Sequence, residues 1–123
     1  MIVMNKKPLF GILLLLTTSC YADSVSSVCS LKEPNQIEMI ECAAQRYDKY
    51  DSNLNIVYQH KIKQLTKVKA SELKSLQRAW VSKKEANCNI YSEEESGSNG
   101  RLESLECSTE MIQERIKFLK KYK

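Results

Sequence analysis

The chain has 123 residues and a formal net charge of +4, with 28% charged and 42% hydrophobic side chains. This length fits one small domain. Basic and acidic side chains are interspersed along most of the sequence, which argues against nucleic-acid binding, because that function needs a clustered basic surface. With three glycines and two prolines, the composition favours long helices over a β domain with many turns.

Residues 1–22 have the three-part layout of a secretory signal. Lys6 and Lys7 form a positive start, residues 9–16 form an apolar run, and polar residues follow from Thr17. The apolar run is too short to cross a membrane as a helix, which takes about 20 residues. No later stretch is apolar enough to do so, and we therefore expect an exported protein without a transmembrane helix.

Two processing routes fit the end of this signal. Cleavage after Ala22 places small residues, Cys20 and Ala22, at the usual positions before the cut. Alternatively, Thr18-Ser19-Cys20 resembles the end of a lipoprotein signal, in which Cys20 would carry a lipid. The first route predicts a periplasmic or secreted protein, and the second predicts an outer-membrane lipoprotein.

After a polar lead-in at residues 23–34, the sequence predicts a first, long helix over residues 35–66. Asn35 can cap this helix, and Glu38 lies three residues further on, where a capping box has its acid. Apolar and aromatic side chains then recur every three or four residues, from Ile37 onward, which predicts one continuous amphipathic face.

Two shorter helices are predicted to follow. Residues 66–71 interrupt the period, and Ser71 is a candidate cap for a second helix over residues 72–90. Residues 91–100 contain three glutamates and two glycines, which is typical of a loop, and a third amphipathic stripe begins at Leu102. The predicted fold class is therefore all-α, with three antiparallel helices joined by short connections.

Four cysteines remain after the signal, and in a small exported chain they predict two disulfides. Helices two and three would bring Cys88 level with Cys107, and Cys29 can fold back to Cys42. The rival pairing, Cys42–Cys88 with Cys29–Cys107, also fits an antiparallel hairpin. The chain has no Cys-x-x-Cys pair and one histidine, so we expect neither a metal site nor a cofactor.

Spaced motifs along the whole mature chain carry a resemblance to a known family. They are Glu38 to Cys42, Tyr47, Asp51 to Asn55 with Tyr58, Leu73, Gln77 to Trp80, and the cysteines Cys88 and Cys107. In this order they resemble the LprI-like family of small exported bacterial proteins, also called the domain of unknown function 1311 family. Two positions depart from the usual pattern: Leu76 replaces an alanine, and Lys84-Glu85 stands where the family tends to have Arg-Asp.

The resemblance implies a helical periplasmic or surface domain over residues 35–123. We interpret its motif side chains mainly as structural. Trp80 is expected to pack against Leu54 or Tyr58, and Asn55 is expected to make a hydrogen bond between helices. Asp51 needs a basic partner from the second helix, because an unpaired buried carboxylate is costly. The same structural role is expected for the other motif residues, Gln77 and Arg78.

The acidic, glycine-containing loop is the candidate partner-binding segment. We expect a Cys88–Cys107 bond to anchor both of its sides. Animal-type lysozymes are strongly basic, so an acidic loop would steer their encounter with this protein. The candidate residues are Glu93, Glu94, Glu95, Ser96, Gly97, Ser98 and Asn99.

No group of side chains in the sequence points to catalysis. His60 has no nucleophile that a motif places beside it, and no pair of carboxylates stands out. We therefore expect a binding protein rather than an enzyme. The first hypothesis, from the resemblance, is an exported inhibitor of lysozyme or another muramidase that protects peptidoglycan. The second is an envelope structural or interaction module that has a different partner and does not inhibit lysozyme.

Overall fold

The computed structural model describes residues 29–89 and 93–123, and for residues 93–96 it describes the backbone alone. The predicted signal, the cleavage after Ala22 and the lipidation of Cys20 concern residues outside these ranges. Within them the chain forms three helices and no strand, so the predicted all-α class is confirmed. None of the three helices is long and apolar enough to span a membrane.

Helix α1 (Gln36–Gln64) begins with the predicted capping box. The Asn35 side chain accepts a hydrogen bond from the Glu38 backbone N–H at 3.0 Å, and the Glu38 carboxylate accepts one from the Asn35 N–H at 2.8 Å. Two backbone donors that the helix itself leaves unpaired are satisfied in this way. The 29 residues of α1 span about 43 Å, since each residue adds 1.5 Å.

Helix α2 (Lys67–Cys88) starts earlier than predicted. Thr66, and not Ser71, is its cap, because the Thr66 side chain accepts a hydrogen bond from the Lys69 backbone N–H at 3.3 Å. Leu65 and Thr66 are both extended and alone form the connection from α1. Residues 67–71 therefore belong to the first turns of α2. The predicted start of the second helix was wrong because neither glycine nor proline marks the length of this connection.

Helix α3 (Glu93–Lys121) includes most of the segment predicted to be a loop. The backbone of residues 93–100 is helical except at Gly97, where φ is 62° and ψ is −147°. Glycine adopts a positive φ at little cost, so Gly97 lets two helical stretches meet at a kink. The three glutamates favour this helix, because acidic residues stabilise a helix N-terminus. The loop prediction is wrong for residues 93–100, and residues 90–92 lie outside the described ranges.

Helices α1 and α3 lie side by side along most of their length and make the most extensive contact in the fold. Near their starts, the Gln36 side chain donates a hydrogen bond to Asn99 at 2.6 Å. Near their ends, Lys61 Nζ donates to the backbone carbonyl of Tyr122 at 3.0 Å. The residue numbers of the contact partners increase together along the two helices, so α1 and α3 run in the same direction.

Helix α2 runs in the opposite direction to α3. Gln77 is hydrogen bonded to Arg115, and Cys88, eleven residues later, is joined to Cys107, which precedes Arg115. The chain therefore passes up, down and up, as three consecutive antiparallel helices require.

A seam of five aliphatic side chains forms the core where the three helices meet. Its members are Leu54 from α1, Leu73 from α2, and Ile112, Ile116 and Leu119 from α3. The amphipathic face predicted for α1 extends further than this seam does. Ile37, in the first turn of α1, is 70% exposed, because the seam does not reach that end of the helix.

Both predicted disulfides are confirmed, and the rival pairing is excluded. The Cys29–Cys42 bond fastens the lead-in to α1, with a Cα–Cα distance of 5.1 Å. The Cys88–Cys107 bond joins the end of α2 to α3, with a Cα–Cα distance of 5.6 Å, and Cys88 is fully buried. Each bond is local, and neither joins α1 to another helix.

We expect the Cys88–Cys107 bond to contribute more stability than the Cys29–Cys42 bond. By loop entropy alone each would contribute about 3 kcal/mol, but Cys88 also fills a buried site and orients two helices. Urea unfolding should therefore give a lower free energy of unfolding for Cys88→Ala/Cys107→Ala than for Cys29→Ala/Cys42→Ala. The opposite order would contradict this assignment.

Candidate functional site

Three of the motif residues, Tyr58, Gln77 and Arg78, line one open groove between α1 and α2. We call it the α1–α2 groove; its other lining residues are Lys74, Val81 and Ser82. The groove exists because α1 and α2 touch each other far less than each touches α3. Its volume of about 520 Å³ falls in the range of sites that bind small molecules.

Arg115 of α3 contacts Gln77, one of the residues that line the α1–α2 groove. Sequence reasoning did not predict a role for Arg115. Its Nε donates a hydrogen bond to the Gln77 side-chain oxygen at 2.9 Å. Its guanidinium carbon lies 4.2 Å from the centre of the Phe118 ring and 5.6 Å from that of Trp80. Its Nη2 atom is buried without a hydrogen-bond partner among the described residues, and burial lowers the pKa of the guanidinium. The sequence signal that could have indicated its role is the position of this arginine on the apolar stripe of the third helix, three residues after Ile112.

Trp80 and Leu54 both contribute to the packing around the seam. Leu54 is 3% exposed, and the half-buried Trp80 packs against the seam that contains it. Lys84 Nζ lies 5.9 Å from the centre of the Trp80 ring and 3.4 Å from the Tyr47 hydroxyl. A lysine at this departure from the family pattern therefore still places a cation against two aromatic side chains.

Asp51 and Asn55 do not make the contacts predicted for them. Asp51 is half-buried, and no basic side chain of the described residues lies within ion-pair distance of it. Asn55 is exposed and makes no hydrogen bond between helices within residues 29–89 and 97–123. Both predictions assumed that α2 covers this face of α1, but α1 and α2 make few contacts with each other.

The predicted partner-binding segment, residues 93–99, forms the start of α3. The Asn99 side chain accepts a hydrogen bond from Gln36, which ties this segment to the first turn of α1. The Cys88–Cys107 bond holds α3 to the end of α2 on the other side. The C-terminal end of the segment is therefore tied to α1 through Asn99, and the bond to α2 lies eight residues further along α3. The role of the segment in binding stays a prediction.

The fold separates charge toward two ends. Residues 52–84 carry eight basic side chains and one acidic side chain, and residues 115–123 carry five basic side chains and no acid. Residues 85–114 carry eight acids and one basic side chain. Because α1 and α3 run in the same direction, Lys61, Lys63, Lys67 and Lys69 lie at the same end of the bundle as residues 115–123. Lys84 lies further along α2, beside Tyr47, and so is nearer the acidic part of α3.

Glu72 is the one acid within residues 52–84, and it is paired with Lys69 of the same helix at 3.1 Å. The hydrogen bond from Lys69 lowers the pKa of the Glu72 carboxyl below its ordinary value. The same hydrogen bond raises the pKa of Lys69.

The described residues offer no evident metal centre. No group of three or more His, Cys, Asp or Glu side chains is placed to hold a metal ion within them. A small helical domain with two disulfides has the features of a protein from an oxidising compartment.

The comparison with known families agrees with this class. The family model described as "Lysozyme inhibitor LprI" matches residues 29–119, so the chain belongs to that family. The resemblance inferred from the spaced motifs is thereby confirmed. No curated protein and no solved structure matches the chain.

We expect Arg115→Met to have an unfolding free energy within about 1 kcal/mol of the unsubstituted chain, because methionine keeps the apolar stem and removes a poorly paired buried charge. Arg115→Ala also removes the stem from Phe118 and Trp80, and should lose about 2 kcal/mol. Urea unfolding measures both. Equal losses would mean that the charge itself stabilises the fold.

Removal of the Glu72 charge should destabilise the protein near neutral pH but not in acid. A lowered carboxyl pKa contributes stability that is present above the unfolded value of 4.5 and is lost as pH falls through the folded value. The melting temperatures of Glu72→Gln and the unsubstituted chain should therefore differ at neutral pH. They should converge once the pH falls below the folded pKa of Glu72, where the carboxyl is protonated. Glu103→Gln, an exposed acid of α3, is the control and should change little at either pH. A difference that persists in acid would contradict the charge-based explanation.

Proposed function

We propose that the chain is an exported protein that binds a lysozyme or related muramidase and blocks its access to peptidoglycan. Membership of a family described as lysozyme inhibitors is the observation that carries this proposal. Such a function needs a stable surface and no chemistry on the inhibitor. Two disulfides and the α1–α3 contact supply a rigid body of that kind.

The acidic side of the bundle is the surface best suited to the enzyme. Residues 85–114 carry eight acids against one basic side chain, and residues 93–99 lie among them. A cationic muramidase would be steered to this side by its own charge. Asn99 is tied to α1, and the Cys88–Cys107 bond holds α3 to α2, so the helix that carries residues 93–99 is anchored in the bundle. Such anchoring lowers the conformational freedom that is lost on binding.

The place of action that fits this proposal is the cell envelope. Disulfides form in oxidising compartments, and the family match agrees with export. Cleavage after Ala22 would give a periplasmic or secreted protein, and lipidation of Cys20 would give an outer-membrane lipoprotein. The mass of the mature N-terminus distinguishes the two routes.

Purified mature protein should slow the lysis of cell walls by at least one muramidase at a near-stoichiometric ratio. A panel of animal, goose and phage-type lysozymes is the measurement. Inhibition should weaken as ionic strength rises, because charges on an exposed surface are screened. If no enzyme of the panel is slowed, the protein is instead an interaction module of the envelope with a different partner.

A charge-neutralised variant locates the surface. Glu93→Gln/Glu94→Gln/Glu95→Gln should inhibit less well than the unsubstituted chain. The matched control is Glu33→Gln/Glu41→Gln/Asp48→Asn, which removes the same charge from exposed positions of the lead-in and α1. Equal loss in both variants would contradict a specific role for the start of α3.

A further inference from the structure

The α1–α2 groove has uncompensated positive charge. Lys74 and Arg78 lie four residues apart on α2 and so occupy one face of the helix, where like charges repel. Among the described residues, no acid lies within ion-pair distance of either cation. Among the described residues, Arg46, Lys69 and Lys117 do have such partners. The two cations of the groove are open to an anionic group from outside the chain, and they differ from other exposed cations because they line a concave site.

The polar groups of the groove are mostly hydrogen-bond donors. Lysine and arginine side chains can only donate. The Gln77 carbonyl oxygen is occupied by Arg115, which leaves the amide N–H groups of Gln77 for another partner. Arg78 donates one hydrogen bond to the Ser75 hydroxyl at 3.4 Å, and the other N–H groups of its guanidinium remain available to a ligand. A ligand rich in acceptors, above all a carboxylate, matches this arrangement.

The groove also offers an apolar surface beside these donors. Tyr58 is half-buried and packs against the seam, which holds its ring in place. Val81, which is 37% exposed, contributes the remaining apolar lining. A volume of about 520 Å³ suits a ligand of one or two rings.

We propose that the α1–α2 groove binds a carboxylate-bearing saccharide. Arg78 and Lys74 bind the carboxylate, Gln77 and Ser82 bind neutral polar groups, and the Tyr58 ring covers the apolar face of a sugar ring. This site lies apart from residues 93–99, and the proposal does not depend on inhibition of a muramidase.

An acidic peptide fits the groove less well than a saccharide. A peptide brings backbone N–H donors, and buried donors need acceptors. Of the lining side chains, only the hydroxyls of Tyr58 and Ser82 are available to accept, because the Gln77 oxygen is already used. Sugar hydroxyls both donate and accept, so they pair with donors directly. A lipid surface would instead contact the exposed cations across the whole basic end.

Calorimetric titration of the mature protein with two matched disaccharides tests the proposal. The probes are N-acetylglucosaminyl-N-acetylmuramic acid and N,N′-diacetylchitobiose, which share a backbone and differ in one lactyl ether that bears the carboxylate. The acidic disaccharide should bind roughly tenfold or more tightly than the neutral one, since a charge-assisted pair is lost with the carboxylate. Arg78→Gln should weaken its binding by a similar factor.

Lys83→Gln is the matched control, because Lys83 is an exposed cation of the same helix that does not line the groove. It should leave the affinity for the acidic disaccharide within about twofold. Circular dichroism verifies that both variants are folded, as their exposed positions lead us to expect.

Several results would overturn the proposal. They are the absence of binding, equal affinity for the two disaccharides, or equal loss in Arg78→Gln and Lys83→Gln. A hexaglutamate peptide or phosphatidylglycerol vesicles form the remaining arms. If either binds through Arg78 while the acidic disaccharide does not, the ligand belongs to that other class. Arg78→Gln should retain any muramidase inhibition, so the two proposals fail separately.

Discussion

The five aliphatic side chains of the seam hold three long helices together, and α3 supplies three of them. Helix α3 is therefore the element on which α1 and α2 both pack, while α1 and α2 touch each other little. Peripheral ion pairs such as Arg46–Glu106 are half-exposed and contribute little by comparison. A domain of this size buries limited apolar surface, so local covalent bonds are an important addition to the seam.

Sequence patterns predicted the features that depend on neighbouring residues. The Asn35–Glu38 capping box and the two disulfides follow from short spacings, and both are confirmed. The start of α2 and the helical course of residues 93–100 were missed, because a two-residue connection and a kink at Gly97 carry weak composition signals. Arg115 was missed for another reason: only the packing of α3 against α2 places it behind Gln77.

The distribution of charged residues along the sequence differs from their distribution over the surface of the fold. Basic and acidic residues are interspersed in the first part of the sequence but form blocks from residue 52 onward, and the net charge is +4. The shared direction of α1 and α3 places like blocks together, which gives the bundle a basic and an acidic end. Meanwhile the limited contact between α1 and α2 leaves a groove lined by Tyr58, Gln77 and Arg78, which closer packing of the two helices would cover. One topology thus creates two surfaces of opposite charge preference.

The local character of the two disulfides has a mechanical consequence. The Cys88–Cys107 bond links α2 to α3, whereas the Cys29–Cys42 bond links α1 only to its own lead-in. Apart from the backbone connection at Leu65 and Thr66, no covalent bond among the described residues would resist a pull that separates α1 from the other two helices. Tension applied between the first and last residues of the domain would be borne by side-chain packing along α1 and α3 and by the two-residue connection to α2. The α2–α3 pair would stay linked after α1 had peeled away.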